Sequence, residues 1–399
     1  MTRRDPATAA VRAAAYAPPL NVPASMPIYE SAAWSFRDLD ELDAVFAKVQ
    51  PGVFYGSFGV PNHDELESLG CALESAEAAV STNGGMSAIF GAVYTHLRPG
   101  DRLVASHHLF GPTLALLRKL HRHDIQIELV DGCDLEAVGR ALDQPTQAVL
   151  VETASNPRLR IADIPALASL ARDAGALLFV DNTFASPVVC RPLDHGADLV
   201  LESLTKFVVG HYDALAGLAA GRGELVEPIR GNAFLTGWLP GPFEAWLAVR
   251  GARTLAVRMR QASRNAAALA DWLAEQDVVT AVHYPGRSDH PDHEVARRVL
   301  APGTAGAVLA FEIHGGRDAI NRMVRSFEHI QLVASLGGVA TTINRPVSAS
   351  HRDLDNETRE RAGIHEDLLR LSVGIEDLGD LQADLARGLR AATGVAVAP

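Results

Sequence analysis

The stretch A-D-L-V-L-E-S-L-T-K-F-V-V-G-H-Y, residues 197–212, decides how the rest of the chain is read. Leu199, Val200 and Leu201 form a dense run of branched apolar residues, which predicts a short buried strand. Ser203, Thr205 and Lys206 follow it directly. Hydroxyls and backbone N–H groups hold a phosphate, and a lysine amine condenses with an aldehyde, so the set suits an anionic ligand carrying that group. Alone, the stretch also fits a surface lysine beside a helix cap, because lysine is mostly a solvated charge. A second stretch, A-L-L-F-V-D-N-T-F-A at 176–185, has the same strand pattern and ends it in Asp181. The carboxyl end of a parallel strand is where open α/β sheets place their ligands. Asp181 alone reads as a helix cap or a turn former with Asn182. Beside Lys206, at the end of a neighbouring strand, it suits pyridoxal 5'-phosphate (PLP): a carboxylate keeps the ring nitrogen protonated and lets the ring draw electrons.

Outward from this pair, strand and helix patterns alternate. Strands are predicted at 102–106, 125–130, 148–152, 177–181 and 197–201, with helices at 113–121, 135–142 and 164–174 between them. That alternation predicts an α/β protein with a mainly parallel sheet wrapped by helices. Gly84 and Gly85 precede a helical run and place backbone N–H groups where a phosphate could sit, though a glycine pair more often marks a plain turn. One long helix is expected over about 243–275, leading into a mixed region with strands near 278–284, 307–313 and 371–373 and helices near 292–300, 317–325 and 378–391. Residues 1–60 are rich in proline and lack periodicity; an arm of this kind is expected to lie on a neighbouring subunit. The expected divisions are this arm, a large domain at 61–245 and a smaller C-terminal α/β domain at 246–399.

Composition narrows the function class. With 48% hydrophobic and 21% charged residues the chain matches ordinary soluble enzymes. A net charge of −12 argues against nucleic acid or an anionic membrane as the main partner. No segment approaches the roughly 20 apolar residues of a membrane span, and the start, M-T-R-R-D-P, leads into no apolar run, so no signal peptide is expected. Cys71, Cys133 and Cys190 are scattered without paired spacing, which points to a reducing, cytoplasmic setting without a disulfide or zinc framework.

The ordered motifs E-T-A-S-N-P (152–157), V-D-N-T-F-A-S-P (180–187), S-L-T-K (203–206), G-P-F-E-A-W (241–246), R-G-A-R-T-L (250–255), H-P-D-H (290–293), S-L-G-G-V (335–339) and R-L-S-V-G-I-E-D (370–377) carry a resemblance. Through them the chain resembles the Cys/Met-metabolism, or trans-sulfuration, family of PLP enzymes. That family includes cystathionine γ-synthase, cystathionine γ-lyase, methionine γ-lyase and the homoserine-ester sulfhydrylases. The resemblance implies the fold-type I PLP-dependent transferase fold, with Lys206 as the Schiff-base lysine and Asp181 as the partner of the ring nitrogen. It implies Gly85, Met86, Ser203 and Thr205 as the phosphate cradle, and Asn156 on the ring hydroxyl or the substrate carboxylate. Arg370 is implied as the clamp on the α-carboxylate of a small amino-acid substrate, a task suited to its planar fork; a surface ion pair with Glu376 or Asp377 is the structural alternative. Ser335 is implied to position the lysine and the substrate. A homotetramer built from dimers is implied too, with Tyr55 reaching the neighbour's site.

Three departures from the family pattern bear on function. The segment Y-G-S-F-G-V-P-N (55–62) has Ser57 where relatives usually carry an arginine that braces the cofactor phosphate across subunits. Phe110, in L-F-G-P-T, replaces a tyrosine that stacks on the cofactor; the stacking survives and the phenol is lost. Ala340 stands where many relatives have a glutamate near the distal amino group of the substrate. Drift would account for either change. The chemistry favours γ-elimination from an L-amino acid whose Cγ substituent leaves without a proton donor and has no distal ammonium. The product would be a 2-oxo acid and ammonia, by way of a vinylglycine-type intermediate; γ-replacement is the alternative, with β-elimination or a non-catalytic scaffold weaker ones. Elsewhere, His290 and His293 lack a third metal ligand, so no metal is expected there. His107 and His108 read as capping or packing, Cys190 as buried packing, and the alternating charges at 352–361 as a solvated helix face.

Overall fold

The computed structural model describes residues 21–352, 359 and 362–394. Most of the charged run at 352–361 therefore lies outside the described residues. The five apolar runs read from the sequence become strands of a 7-stranded sheet that gains two more, with the order β1-β7-β6-β5-β4-β2-β3. These are β1 (Ala78–Thr82), β2 (Arg102–Ser106), β3 (Gln126–Val130), β4 (Ala148–Glu152), β5 (Leu177–Asp181), β6 (Leu199–Glu202) and β7 (Gly217–Gly221). The run β6-β5-β4-β2-β3 is parallel, whereas β7 is antiparallel to both β6 and β1. Buried faces explain the composition: β4 is buried along its whole length, as a strand covered on both sides must be. One apolar cluster, with Val149, Val151, Leu178 and Val180, fills one face, and another, with Leu103, Leu150, Phe179 and Leu201, fills the other.

A second sheet, with the order β10-β11-β12-β9-β8, follows in the chain. It comprises β8 (Val279–His283), β9 (Val308–Ile313), β10 (Gln331–Leu332), β11 (Thr342–Asn344) and β12 (Leu368–Ser372). Its core packs Leu309, Phe311, Leu369 and Leu371 against the helices Leu255–Ala274, Gly316–Ser326 and Leu378–Ala392.

The single helix expected at 243–275 is two, Pro242–Ala252 and Leu255–Ala274. The carbonyl of Gly251 accepts from the Arg258 guanidinium at 2.8 Å and from the Thr254 hydroxyl at 3.1 Å. Arg258 also reaches the Phe207 and Val208 carbonyls, so the break ties the helix pair to the segment just after Lys206. The sequence boundary at 245/246 falls within the first helix of the pair. The proline-rich arm holds a helix, Leu39–Phe46, that its lack of periodicity did not predict; the Asp38 side chain caps it by accepting from the Glu41 N–H at 2.9 Å. Among the described residues no helix is long and apolar enough to cross a membrane.

Candidate active site

Strand order brings the two deciding residues together. β5 and β6 are neighbours, with Asp181 opposite Leu201, so Asp181 ends one strand while Ser203–Lys206 leaves the end of the next. A cavity of about 290 Å³ opens at these carboxyl ends. Gly85, Met86, Phe110, Asn156, Asp181, Ser203, Thr205, Lys206, Ser335 and Arg370 all line it. Tyr55 and Ala340 do not. Tyr55 is 51% exposed on the arm, bridged to Ala33, with Ser57 in the following 3-10 turn. Ala340 is exposed beside Thr341, whose backbone and hydroxyl are taken by Glu376.

Each end of the cavity has a distinct chemistry. The Lys206 amine is mostly buried and gives a hydrogen bond to the Ser335 hydroxyl at 3.0 Å. Burial, and then the nearby Arg370 charge, lower its pKa, which raises the share of free amine able to attack an aldehyde. The loop carrying Ser335 approaches closely because Gly337 has no side chain: a Cβ there would lie 2.7 Å from the Lys206 carbonyl carbon, and its φ of +89° suits glycine. Asp181 is fully enclosed, and burial raises its pKa although the Thr183 hydroxyl and N–H both pull it down. A buried carboxyl with no cationic side chain beside it among the described residues is a seat for a cation brought by a ligand.

At the phosphate-sized end, the helix Gly85–His96 starts against Ser203, where a Cβ on Gly85 would lie 2.6 Å from the Ser203 Cβ. That contact keeps the helix N-terminus and its free N–H groups at the cavity wall. The Thr205 hydroxyl is already committed: it donates to the Ala216 carbonyl at 3.2 Å and accepts from the Ala216 N–H at 3.0 Å. Its remaining capacity is to accept, so an anion here would draw on donors other than Thr205, such as backbone N–H groups and Ser203.

At the opposite end Arg370, on β12, is buried. Its Nη1 donates to Asn156 Oδ1 at 2.9 Å and its Nη2 to the Ser335 carbonyl at 3.2 Å, while its Nε is enclosed without a partner. The Phe184 ring lies beneath the guanidinium, 5.8 Å from centroid to Cζ. Burial lowers its pKa to about 10. The surface ion pair weighed as an alternative is not formed: Glu376 holds Thr341, and Asp377 caps the helix Leu378–Ala392. A buried guanidinium with a spare N–H and no acidic partner among the described residues is built to receive a carboxylate.

The residues present fit PLP: an enclosed amine, an enclosed acid one strand away, and a helix N-terminus for a phosphate. Several lining residues went unassigned from sequence, among them Glu152, Thr183 and Ser350. Glu152 ends β4 directly opposite Asp181. Behind the lining, His351 is buried, and its ring pKa falls to about 4 through burial and the Arg370 charge. Its position in a loop beyond η-type turn 346–348 left no periodic signal to find it. His290 and His293 serve structure, flanking Asp292, which pairs with Arg160 at 2.6 Å. His108 Nε2 lies 3.2 Å from Asp131 at the ends of β2 and β3, while Cys190 is buried as expected.

Comparison with known proteins agrees with this geometry. The family model for Cys/Met metabolism PLP-dependent enzymes matches residues 7–390, and the chain belongs to that family of PLP enzymes. It is 40% identical over 365 residues to the O-succinylhomoserine sulfhydrylase of Pseudomonas aeruginosa, covering 91% of this chain and 90% of that protein. It is 38% identical over 369 residues to the L-methionine gamma-lyase of Fusobacterium nucleatum subsp. polymorphum, covering 92% and 93%. The crystal structure of cystathionine gamma synthase from Xanthomonas oryzae pv. oryzae, in complex with aminoacrylate and cysteine, superposes with a TM-score of 0.88 at 37% identity, over 93% of this chain and 94% of that one. The fold-type I reading therefore holds, and the protein is a PLP-dependent enzyme of amino-acid γ-elimination or γ-replacement.

Proposed function

We propose that the enzyme removes an uncharged γ substituent from an L-amino acid, releasing a 2-oxo acid, ammonia and the protonated leaving group at the expense of one water. The observation that carries this reading is the charge inventory of the cavity. Among the described residues its ionisable side chains are Glu152, Asp181, Lys206 and Arg370. Asp181 and Lys206 are spoken for by the cofactor and Arg370 by one α-carboxylate. Glu152 is turned to the Phe110 backbone. Nothing charged is left to hold a succinyl carboxylate or the distal ammonium of cystathionine, and no second guanidinium lines the cavity for an incoming amino acid. Elimination into water fits this inventory better than the joining of two amino acids.

PLP supplies an aldehyde for amines and a ring that draws electrons from the adjoining carbons. The chain supplies the rest. Arg370, held by Asn156 and Ser335, orients the α-carboxylate with the N–H groups it has to spare. Lys206, with its pKa lowered, takes and returns protons at the substrate Cα and Cβ, and Ser335 holds its amine within reach of them. Asp181 balances the charge on the ring nitrogen. Phe110, Met86, Ile89 and Leu336 give the cavity apolar walls that exclude water. Phe110 offers no hydroxyl, so a substituent that departs without proton donation leaves fastest. We further propose a homotetramer in which Tyr55 and Ser57 complete a neighbour's cavity, in line with their position outside the cavity of their own chain.

A panel of γ-substituted L-amino acids, assayed with and without an added thiol by mass spectrometry, tests the reading. The expected outcome is 2-oxo acid formation, fastest on uncharged substituents and insensitive to the thiol. Fastest turnover on cystathionine, or a dominant thiol adduct, overturns it.

A further inference from the structure

Three adjacent parallel strands each end in an acid: Glu152 on β4, Asp181 on β5 and Glu202 on β6. A fourth, Glu74, ends the helix Pro61–Glu74 beside Glu202, and both accept from Asn182 Nδ2, at 3.3 and 3.2 Å. Glu152 has a different arrangement. The residue is 8% exposed, Oε1 accepts from the Phe110 N–H at 2.6 Å, and Oε2 is enclosed without a hydrogen-bond partner among the described residues. It faces Asp181 across the strand pair, with Lys206 and Arg370 lining the same cavity, and among the described residues it joins no ion pair.

A second carboxylate beside Asp181 would repel it in a medium where charges interact strongly. We propose that Glu152 stays protonated in the working site, a positioning residue whose Oε1 seats Phe110 and whose Oε2 hydroxyl is reserved for the bound cofactor, leaving Asp181 the single negative charge at the ring nitrogen. Burial, then the Asp181 charge, push the Glu152 carboxyl well above its ordinary range, against the pull of the Phe110 N–H. The neutral acid resolves each point: it keeps an acceptor for Phe110, supplies a donor on the orphaned oxygen, and removes the repulsion. A neutral neighbour also lets Phe110 be held by its backbone, where a phenol is not present to anchor the ring.

The inference rests on the roles given above to Asp181 and Lys206, and it is separable from them: if borohydride fixes no cofactor on Lys206, those roles fail whatever Glu152 does. The test compares the parent with Glu152→Gln and Glu152→Ala, reading the PLP dissociation constant and the pH at which the bound cofactor changes absorption. Glutamine is a neutral isostere with the same acceptor and a donor in place of the hydroxyl. It is expected to keep PLP affinity within about threefold and the absorption midpoint within about 0.3 pH unit of the parent. Alanine leaves the Phe110 N–H unmet, and affinity is expected to fall about tenfold or more. An infrared band of a protonated carboxyl, present in the parent and missing from Glu152→Gln, is expected as well. A tenfold loss of affinity or a midpoint shift of a full pH unit in Glu152→Gln marks loss of a charge and overturns the proposal. A glutamine variant that fails to fold overturns it too, since the site would then not accept a neutral group.

Discussion

Replacing Arg370 with lysine isolates what the guanidinium geometry contributes, because the charge stays and the fork goes. Arginine has five N–H donors, of which one meets Asn156 Oδ1 at 2.9 Å and one meets the Ser335 carbonyl at 3.2 Å. Three remain, including the enclosed Nε–H that has no partner among the described residues. Two of those on one edge of the plane form the parallel pair that grips a carboxylate. A lysine ammonium has three donors, and satisfying the same two acceptors leaves one for substrate. At least one charge-assisted hydrogen bond to the carboxylate is therefore lost, worth roughly 1.5–3 kcal/mol, which corresponds to about 10- to 150-fold. The carboxylate is gripped equally before and during reaction, so the loss falls on KM and leaves kcat within a few-fold. Steady-state rates on one γ-substituted amino acid and on its α-carboxamide check this. The parent should prefer the acid strongly, and Arg370→Lys should narrow that preference by the same factor by which KM rises. An unchanged KM, or equal losses on acid and amide, would refute the assignment of Arg370 to the α-carboxylate.

Other expectations follow from the same geometry. Phe110→Tyr adds a phenol to a residue whose backbone is fixed by Glu152, so turnover should rise at least tenfold on a thioether, where a proton donor helps, and change less than about threefold on an O-acyl or halide substituent; parallel gains on both classes would count against the leaving-group reading. Ser57→Arg should tighten PLP about tenfold in the assembled enzyme by adding charge-assisted bonds to the phosphate, and the gain should vanish on dilution to monomers, since Ser57 lies outside its own chain's cavity. Glu74 is raised from 4.5 to about 7, chiefly by burial. Between those values the folded chain keeps a proton that the unfolded chain has released, so stability falls as pH rises through that window. Thermal melts of the cofactor-free protein from pH 5 to 8 should show the decline, and Glu74→Gln should flatten it; a parent melting curve independent of pH would refute a Glu74 held protonated by burial.

How much of this was legible in the sequence depends on which signal each residue leaves. The central parallel strands were legible because burial on both faces demands unbroken apolar runs, unlike the largely exposed edge strand β3, and their ends marked Asp181 and Lys206 without reference to the fold. β1 and β7 were not, because A-A-V-S-T and G-L-A-A-G look like turns. Their small residues answer close backbone approach instead: a Cβ on Gly217 would collide with the Gly84 carbonyl, and one on Gly221 with that of Asp198. The break at Arg253–Thr254 left no periodic trace either, since the helix ends when a side chain, Arg258, takes the Gly251 carbonyl. Glu152 was quoted in a motif yet assigned nothing. An acid at a strand end looks solvated in sequence, and only the neighbouring strand reveals that its oxygen is enclosed beside a second acid.

The charge balance of the site bears on the homotetramer proposed above. PLP brings a phosphate carrying about two negative charges, and the cavity's two cations lie elsewhere: Lys206 is tied to Ser335, and Arg370 to Asn156. The helix Gly85–His96 offers about half a positive charge at its N-terminus, and the Thr205 hydroxyl has spent its proton on Ala216. A single chain therefore neutralises the amine and carboxylate ends of its ligands and leaves the phosphate end short of charge. In a family member with arginine at position 57 the neighbour would supply the difference. With Ser57 it supplies a neutral hydrogen bond at most, so the cofactor should be held chiefly through its covalent bond to Lys206 and through Asp181. Reducing that bond with borohydride ought then to convert a readily dialysed cofactor into a permanent one.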